Sequence, residues 1–231
     1  MSREYWKDKS VAVTGGASGL GHMLSMKLAL LGAIVTIIDR AQDPKFDNFK
    51  YKYVKKDISA DLSELYDDHY DVFISNAAIF TGMKPFSECT DEEIKNYVAI
   101  NVLAPTLLLR NIDCGKHVII NSVASLAGLK NMGLYSASKA FMRILNESVR
   151  REGRSTLIYC PFKINTQLFK EMNDKFVLDV NDVADDIIKS IENDSSEIYK
   201  PFYYRLTFLL GYLPMRLTDR MYQSIYNYFS N

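Results

Sequence analysis

The chain has 231 residues, with 28 Lys plus Arg against 28 Asp plus Glu and 48% hydrophobic side chains. Zero net charge excludes the basic excess with which a protein neutralises nucleic-acid phosphates, and the apolar content is too high for a disordered chain. The sequence holds no run of roughly 18 apolar residues to cross a bilayer, and MSREYWKDKS is too polar for a signal peptide, so a cytoplasmic location is expected.

In chain order, Ser10–Val13 reads as a strand, followed by a glycine-rich turn and a helix from about Gly19 to Leu31. Ala33–Ile38 is a β-branched strand closed by Asp39, and Tyr51–Val54 a weaker one. A short helix around Leu62–Tyr66 precedes a strand at Asp71–Ser75. Thr90 opens a helix, since its hydroxyl can cap free N–H groups and the acids behind it suit the positive end of the dipole; that helix is expected to run to about Arg110. Val118–Asn121 is the fifth strand, Met132–Glu152 a long helix, Thr156–Cys160 the sixth strand, Val180–Ile191 an amphipathic helix and Glu197–Tyr199 the last strand.

Strand alternating with helix implies a parallel sheet with right-handed crossovers. Segments such as IVTII are apolar on both faces, as strands covered on both sides must be. The expected fold is α/β, a doubly wound Rossmann-type sheet in a single domain, with 1–198 as its dinucleotide-binding and catalytic part and 199–231 as an aromatic, basic extension. The connection from Asp39 to Tyr51 is short for a crossover helix, so that layer should be thin. Cys89, Cys114 and Cys160 form no CxxC, and His22, His69 and His117 show no metal-ligand spacing, so neither a disulfide framework nor a metal site is expected.

Thr14-Gly15-Gly16-Ala17-Ser18-Gly19-Leu20-Gly21 lies between the first strand and its helix. Glycines there let the backbone turn tightly and approach a pyrophosphate, which the helix N-terminus attracts. Asp39 can accept hydrogen bonds from adenosine ribose hydroxyls and would repel a 2′-phosphate. Arg40, next to it, could hold that phosphate instead, so NAD is expected with NADP open.

Tyr135 and Lys139 stand four apart, one helical turn, as do Tyr5/Lys9 and Tyr51/Lys55. Only Tyr135/Lys139 opens a long helix after a strand, with Ser122 just past that strand. A nearby ammonium favours phenolate and is expected to lower the phenol pKa.

From about Lys9 to Thr166 the chain resembles the short-chain dehydrogenase/reductase family. The resemblance rests on TGGASGLG, Asp39, Asp57-Ile58, Asn76-Ala77-Ala78, Asn101 in AINVLAP, Ser122 in IINSVAS, YSASK, and Pro161 to Thr166. It implies that Tyr135 exchanges a proton with the substrate oxygen, Ser122 hydrogen-bonds that oxygen, and Lys139 holds the nicotinamide ribose. It also implies that Asn101 positions a water, that Asp57 and Ile58 receive the adenine, and that Asn76 sits near the adenosine ribose. Gly15, Ala17, Ser18, Gly19, Leu20 and Gly21 would form the cofactor turn, and Ile164 and Thr166 would contact the carboxamide and phosphate. Two departures stand out: Ala78 where the family usually has Gly, and Phe162 where Gly is common after Pro161.

CPFKINT and the later LDVNDVADDIIKSI look most like the branch of retinol dehydrogenases and 17β-hydroxysteroid dehydrogenases. That likeness implies an apolar, lipid-like small-molecule substrate, a homodimer or homotetramer, and peripheral contact with an endoplasmic-reticulum or lipid-droplet surface. An NADPH-dependent reductase of a long-chain keto-lipid, or a catalytically silent cofactor-binding regulator, are the alternatives. Tyr199–Asn231 carries Lys200, Arg205, Arg216 and Arg220 among ten aromatic residues. Its apolar face is suited either to packing on the core or a partner copy, or to a membrane interface.

Overall fold

A computed structural model describes the backbone of residues 1–169 and 177–230, and the side chains there except at 169, 208–212 and 225–230. Asn231, the end of the expected extension, lies outside the described residues.

Seven strands form one sheet: β1 (Ser10–Thr14), β2 (Ile34–Asp39), β3 (Tyr51–Lys55), β4 (His69–Ser75), β5 (Asp113–Ile120), β6 (Thr156–Pro161) and β7 (Glu197–Lys200). Every pairing is parallel and the order is β3-β2-β1-β4-β5-β6-β7. The side-chain period of two explains how one strand serves two cores. Val11, Val13, Val118 and Ile120 face one layer, while Ala12 and Ile119 face the other. In the first layer they meet Leu24 and Leu28 of α2 (Gly19–Leu30) and Ile187 and Ile191 of α6 (Val180–Glu192). Fully burying each such side chain contributes about 1.5–3 kcal/mol. Lys27 and Asp185 tie the two helices together at 2.5 Å.

The opposite layer contains α3 (Asp91–Tyr97), α4 (Ala104–Asn111) and α5 (Gly133–Arg151). Thr90 caps α3 as expected: its hydroxyl accepts from the Glu93 N–H at 3.2 Å, and Glu93 accepts from the Thr90 N–H at 2.9 Å. The helix expected to run to about Arg110 reaches Asn111, and it contains a π-helical stretch, Val98–Leu103. Pro105 has no N–H to give the Asn101 carbonyl, and the chain widens there, with the Ala104 N–H bonded to the Ala99 carbonyl.

The layer after β2 is thin, as expected. Residues 40–50 form no helix, and Phe46, Phe49 and Tyr51 cluster with His22 of α2, the His22 and Phe46 rings 4.0 Å apart. The expected helix at Leu62–Tyr66 is a single 3₁₀ turn, Ser63–Leu65. A four-residue helix, α1 (Arg3–Trp6), is too short to show a sequence period; it buries Trp6, whose indole N–H donates to Glu192 at 2.7 Å. Beyond β7, Phe202–Tyr212 is 3₁₀-helical and α7 spans Met215–Ser230. Among the described residues no helix is long and apolar enough to cross a membrane, and no cluster of side chains could hold a metal ion.

Candidate active site

The strand order reverses between β1 and β4, which opens a crevice beyond their carboxyl ends. A cleft of about 520 Å³ lies there. Gly15, Ser18, Gly19 and Leu20 line one stretch of it, Asp39, Arg40, Asp57 and Ile58 another, and Asn76, Ser122, Tyr135, Lys139, Ile164 and Thr166 the remainder. One cavity thus gathers residues drawn from most of the chain.

The glycine turn is built for close approach. Gly15 and Gly19 have φ of +65° and +54°, which side chains rarely adopt. A Cβ on Gly21 would stand 2.2 Å from the Gly15 carbonyl oxygen. Asn76 braces the turn, its amide donating to the carbonyls of Thr14 at 2.9 Å and Gly15 at 3.3 Å. The Thr14 hydroxyl accepts from the N–H groups of Asn76 and Ala77 at 3.0 and 3.1 Å. With the N-terminus of α2 behind it, this cradle fits a pyrophosphate.

Three expected site residues stand behind the cleft rather than on its wall. The Ala17 N–H donates to Asp39 at 3.0 Å, and Gly21 lies under the turn. Asn101 is buried, and its amide clamps the backbone of Ile79, accepting from the N–H and donating to the carbonyl, both at 2.8 Å.

Asp39 is held from two sides, its other oxygen accepting from the Ala41 N–H at 3.0 Å. Asp57 accepts from the backbone and hydroxyl of Ser59 at 2.9 and 2.7 Å, which holds its carboxyl below the usual range. Two carboxylates and the cations Arg40 and Lys56 therefore share this end of the cleft.

At the other end stand Ser122, Tyr135 and Lys139, all buried. The Lys139 ammonium donates to the Ile120 carbonyl at 3.0 Å and lies 5.7 Å from the centre of the Tyr135 ring. Ser122 accepts from the Ala124 N–H at 3.1 Å, which orients its hydroxyl. The expected lowering of the phenol pKa is overturned: burial pushes Tyr135 up, and its hydrogen bond with Ser122 pulls only part of that back. Burial also lowers Lys139, to about 8. Desolvation prevails because apolar side chains close around both groups, with the Phe80 ring edge-on to Tyr135 at 5.4 Å.

Sequence reasoning missed Phe80, Leu129 and Met132, which line the cleft beside Tyr135. They sit in loops or at a helix cap, where no periodicity marks them. Thr14 was within reach, as the first residue of the glycine motif.

Sheet order, cleft and glycine turn together define a Rossmann-type dinucleotide-binding protein. The family model described as short chain dehydrogenase matches residues 9–176. The chain therefore belongs to the short-chain dehydrogenase family and is an NAD(P)-dependent oxidoreductase. It is 26% identical to epidermal retinol dehydrogenase 2 of Homo sapiens over 245 residues, covering 89% of this chain and 78% of that protein. It is 30% identical to very-long-chain 3-oxoacyl-CoA reductase-B of Danio rerio over 195 residues, covering 70% of this chain and 61% of that one. A solved short-chain dehydrogenase from Sphingobium yanoikuyae in complex with NADPH superposes with a TM-score of 0.77 at 20% identity, over 88% of this chain and 92% of that one.

Proposed function

We propose that this protein interconverts an alcohol and a ketone or aldehyde on an apolar, lipid-like small molecule, with NAD(H) as the preferred cofactor. The observation that carries the reading is the placement of Ser122, Tyr135 and Lys139 at one end of a glycine-cradled cleft whose nearby walls are Phe80, Leu129, Met132 and Phe162. The nicotinamide, when bound, supplies or takes up the hydride. Tyr135 gives its phenol proton to the substrate oxygen or receives one from it. The Ser122 hydroxyl donates to that oxygen as charge develops on it. Lys139 would hold the nicotinamide ribose, and it places positive charge beside the phenol. Asn101 fixes the Ile79 loop through its amide and would position a water on the path from Lys139 to solvent. Asp39 would accept from the adenosine ribose, Asp57 and Ile58 would border the adenine, and Ile164 and Thr166, which line the cleft with Thr166 beside Gly19, would contact the carboxamide and phosphate.

Incubating the protein with retinoids, steroids and long-chain ketones, each with NADH and NADPH in the reductive direction and the oxidised forms in the other, tests this reading. Turnover of apolar substrates with NADH preferred is expected. Turnover only of small polar carbonyls would overturn the substrate class. NADPH-dependent reduction of long-chain keto-lipids is the second reading, favoured by Arg40 on the cleft wall and by the likeness to the Danio rerio reductase.

The C-terminal segment supports both uses expected of it. Tyr199 and Tyr204 pack into the core cluster behind Ser122, while Phe202, Leu206 and Met215 are exposed. That outer row, with Arg216 and Arg220, suits peripheral contact with an anionic lipid surface. A second copy of the chain is the natural cover for Val98, Leu103, Phe141 and Ile144, exposed apolar side chains on and around α3 to α5. Sedimentation of the protein and of Phe141→Glu tests this oligomer, and a monomeric parent protein would exclude it.

A further inference from the structure

Phe162 follows Pro161 at the end of β6, and its N–H donates to the Lys200 carbonyl at 2.7 Å, continuing the β6–β7 ladder. This bond brings the start of the C-terminal segment to the cleft. The Tyr204 N–H then bonds the Pro201 carbonyl at 3.2 Å, closing a turn. The turn lays the Tyr204 ring on the Phe162 ring, 5.3 Å between centres at 17°, and the Tyr203 ring on Tyr204 at 5.1 Å and 29°. One face of the stack belongs to the cleft wall, since Phe162 lines the same cavity as Ser122 and Tyr135. The far end reaches the surface, where Tyr203 is about half exposed beside Phe202 and Leu206.

Polar groups that could hold a substrate oxygen lie deep, at Ser122 and Tyr135. Phe80, Met132 and Phe162 line the same cavity, so the carbon skeleton of a substrate bound there has apolar side chains to lie against. We propose that Phe162, held in place by its ring stack on Tyr204, determines the preference of this cleft for long apolar substrates, with Tyr204 as the positioning residue. The inference rests on the oxidoreductase reading above and adds to it the residue that selects the substrate. Its physical basis is apolar burial: each methylene that lies against a ring held rigid gains, and one that faces a mobile or missing ring does not.

The test compares the parent protein with Phe162→Ala, Tyr204→Ala and Tyr204→Phe on butan-2-one and dodecan-2-one. In both alanine variants, the kcat/KM ratio of the long to the short ketone should fall about tenfold or more, with the loss in the KM of dodecan-2-one. Tyr204→Phe keeps the ring and should retain the parent ratio. An unchanged ratio in Phe162→Ala, or a Tyr204→Ala defect that falls equally on both ketones, would overturn the proposal. Calorimetric binding of dodecan-1-ol reads the same contrast without turnover: weaker binding by both alanine variants supports the proposal, and equal affinities sink it. Absence of turnover of both ketones by the parent protein, with that binding contrast intact, would overturn the alcohol–ketone substrate reading while upholding the role of Phe162.

Discussion

The Lys139 ammonium lies 5.7 Å from the centre of the Tyr135 ring and spends one of its three donors on the Ile120 carbonyl at 3.0 Å. The strand end of β5 therefore sets where the positive charge stands, and the helix α5 sets where the phenol stands. Both residues belong to α5, and the bond to Ile120 ties that helix to the end of β5. Charge and proton carrier are thus fixed relative to each other, as a proton step needs.

Tyr135→Phe should lower kcat by about 10²–10⁴-fold, since only the hydroxyl is lost. Affinity for the dinucleotide should change little, because the glycine turn, Asp39 and Lys139 remain. Steady-state kinetics and a fluorescence titration of NADH measure the two effects. A variant with near-normal kcat would refute the assignment of Tyr135.

Asp39→Ala should shift cofactor preference from NADH toward NADPH by about tenfold or more, because a carboxylate at contact distance repels a 2′-phosphate. The carboxylate also accepts the Ala17 and Ala41 N–H groups at 3.0 Å each. Their loss should cost about 2 kcal/mol in a denaturant titration. Tighter binding of NADPH by the parent protein would mean that Arg40 prevails.

Gly21→Ala should abolish dinucleotide binding or prevent folding. The new methyl would stand 2.2 Å from the Gly15 oxygen and 2.6 Å from the Asn76 amide nitrogen, so turn and brace must both shift. Circular dichroism with an NADH titration separates the two failures. Unimpaired binding would show that the turn tolerates displacement.

His117 gives a pH dependence of stability. It is fully buried on β5, its Nε2 paired with the Ser75 hydroxyl at 2.9 Å, and burial lowers its pKa to about 3 from an ordinary 6.5. Between those values the unfolded chain binds the extra proton and the folded one does not. The stabilisation is complete above the unfolded pKa and is lost as pH falls through the window, by up to about 1.4 kcal/mol per pH unit. His22, lowered by burial as well, acts in the same sense. Urea denaturation of the parent protein and His117→Gln at about pH 7 and about pH 5 measures the slope. Equal slopes in the two proteins would remove His117 from this account.

The full chain should float with anionic liposomes, and Arg216→Glu with Arg220→Glu should reduce that flotation severalfold. The exposed Phe202, Leu206 and Met215 supply apolar contact, and the two arginines the attraction to head groups. Failure of the full chain to float would leave the segment a purely structural element around Phe162.

The doubly wound sheet was legible in the sequence because burial on both faces demands short, β-branched apolar strands such as IVTII and TLIYCP, alternating with helical patterns. The glycine turn and the Tyr135–Lys139 pair were legible because their residue types stand close in sequence and at fixed places relative to a strand and a helix, although Asn76 and the Ile120 carbonyl, from distant segments, complete their geometry. What sequence could not convey is how distant segments meet. Phe162 and Tyr204 become stacked only through the pairing of β6 with β7. Phe80 reaches Tyr135 only because Asn101 clamps the loop at Ile79. The direction of the Tyr135 pKa shift had the same origin. An ammonium one turn away argued for lowering it, but burial depends on every segment packed around the ring, and only the tertiary structure decides which effect prevails.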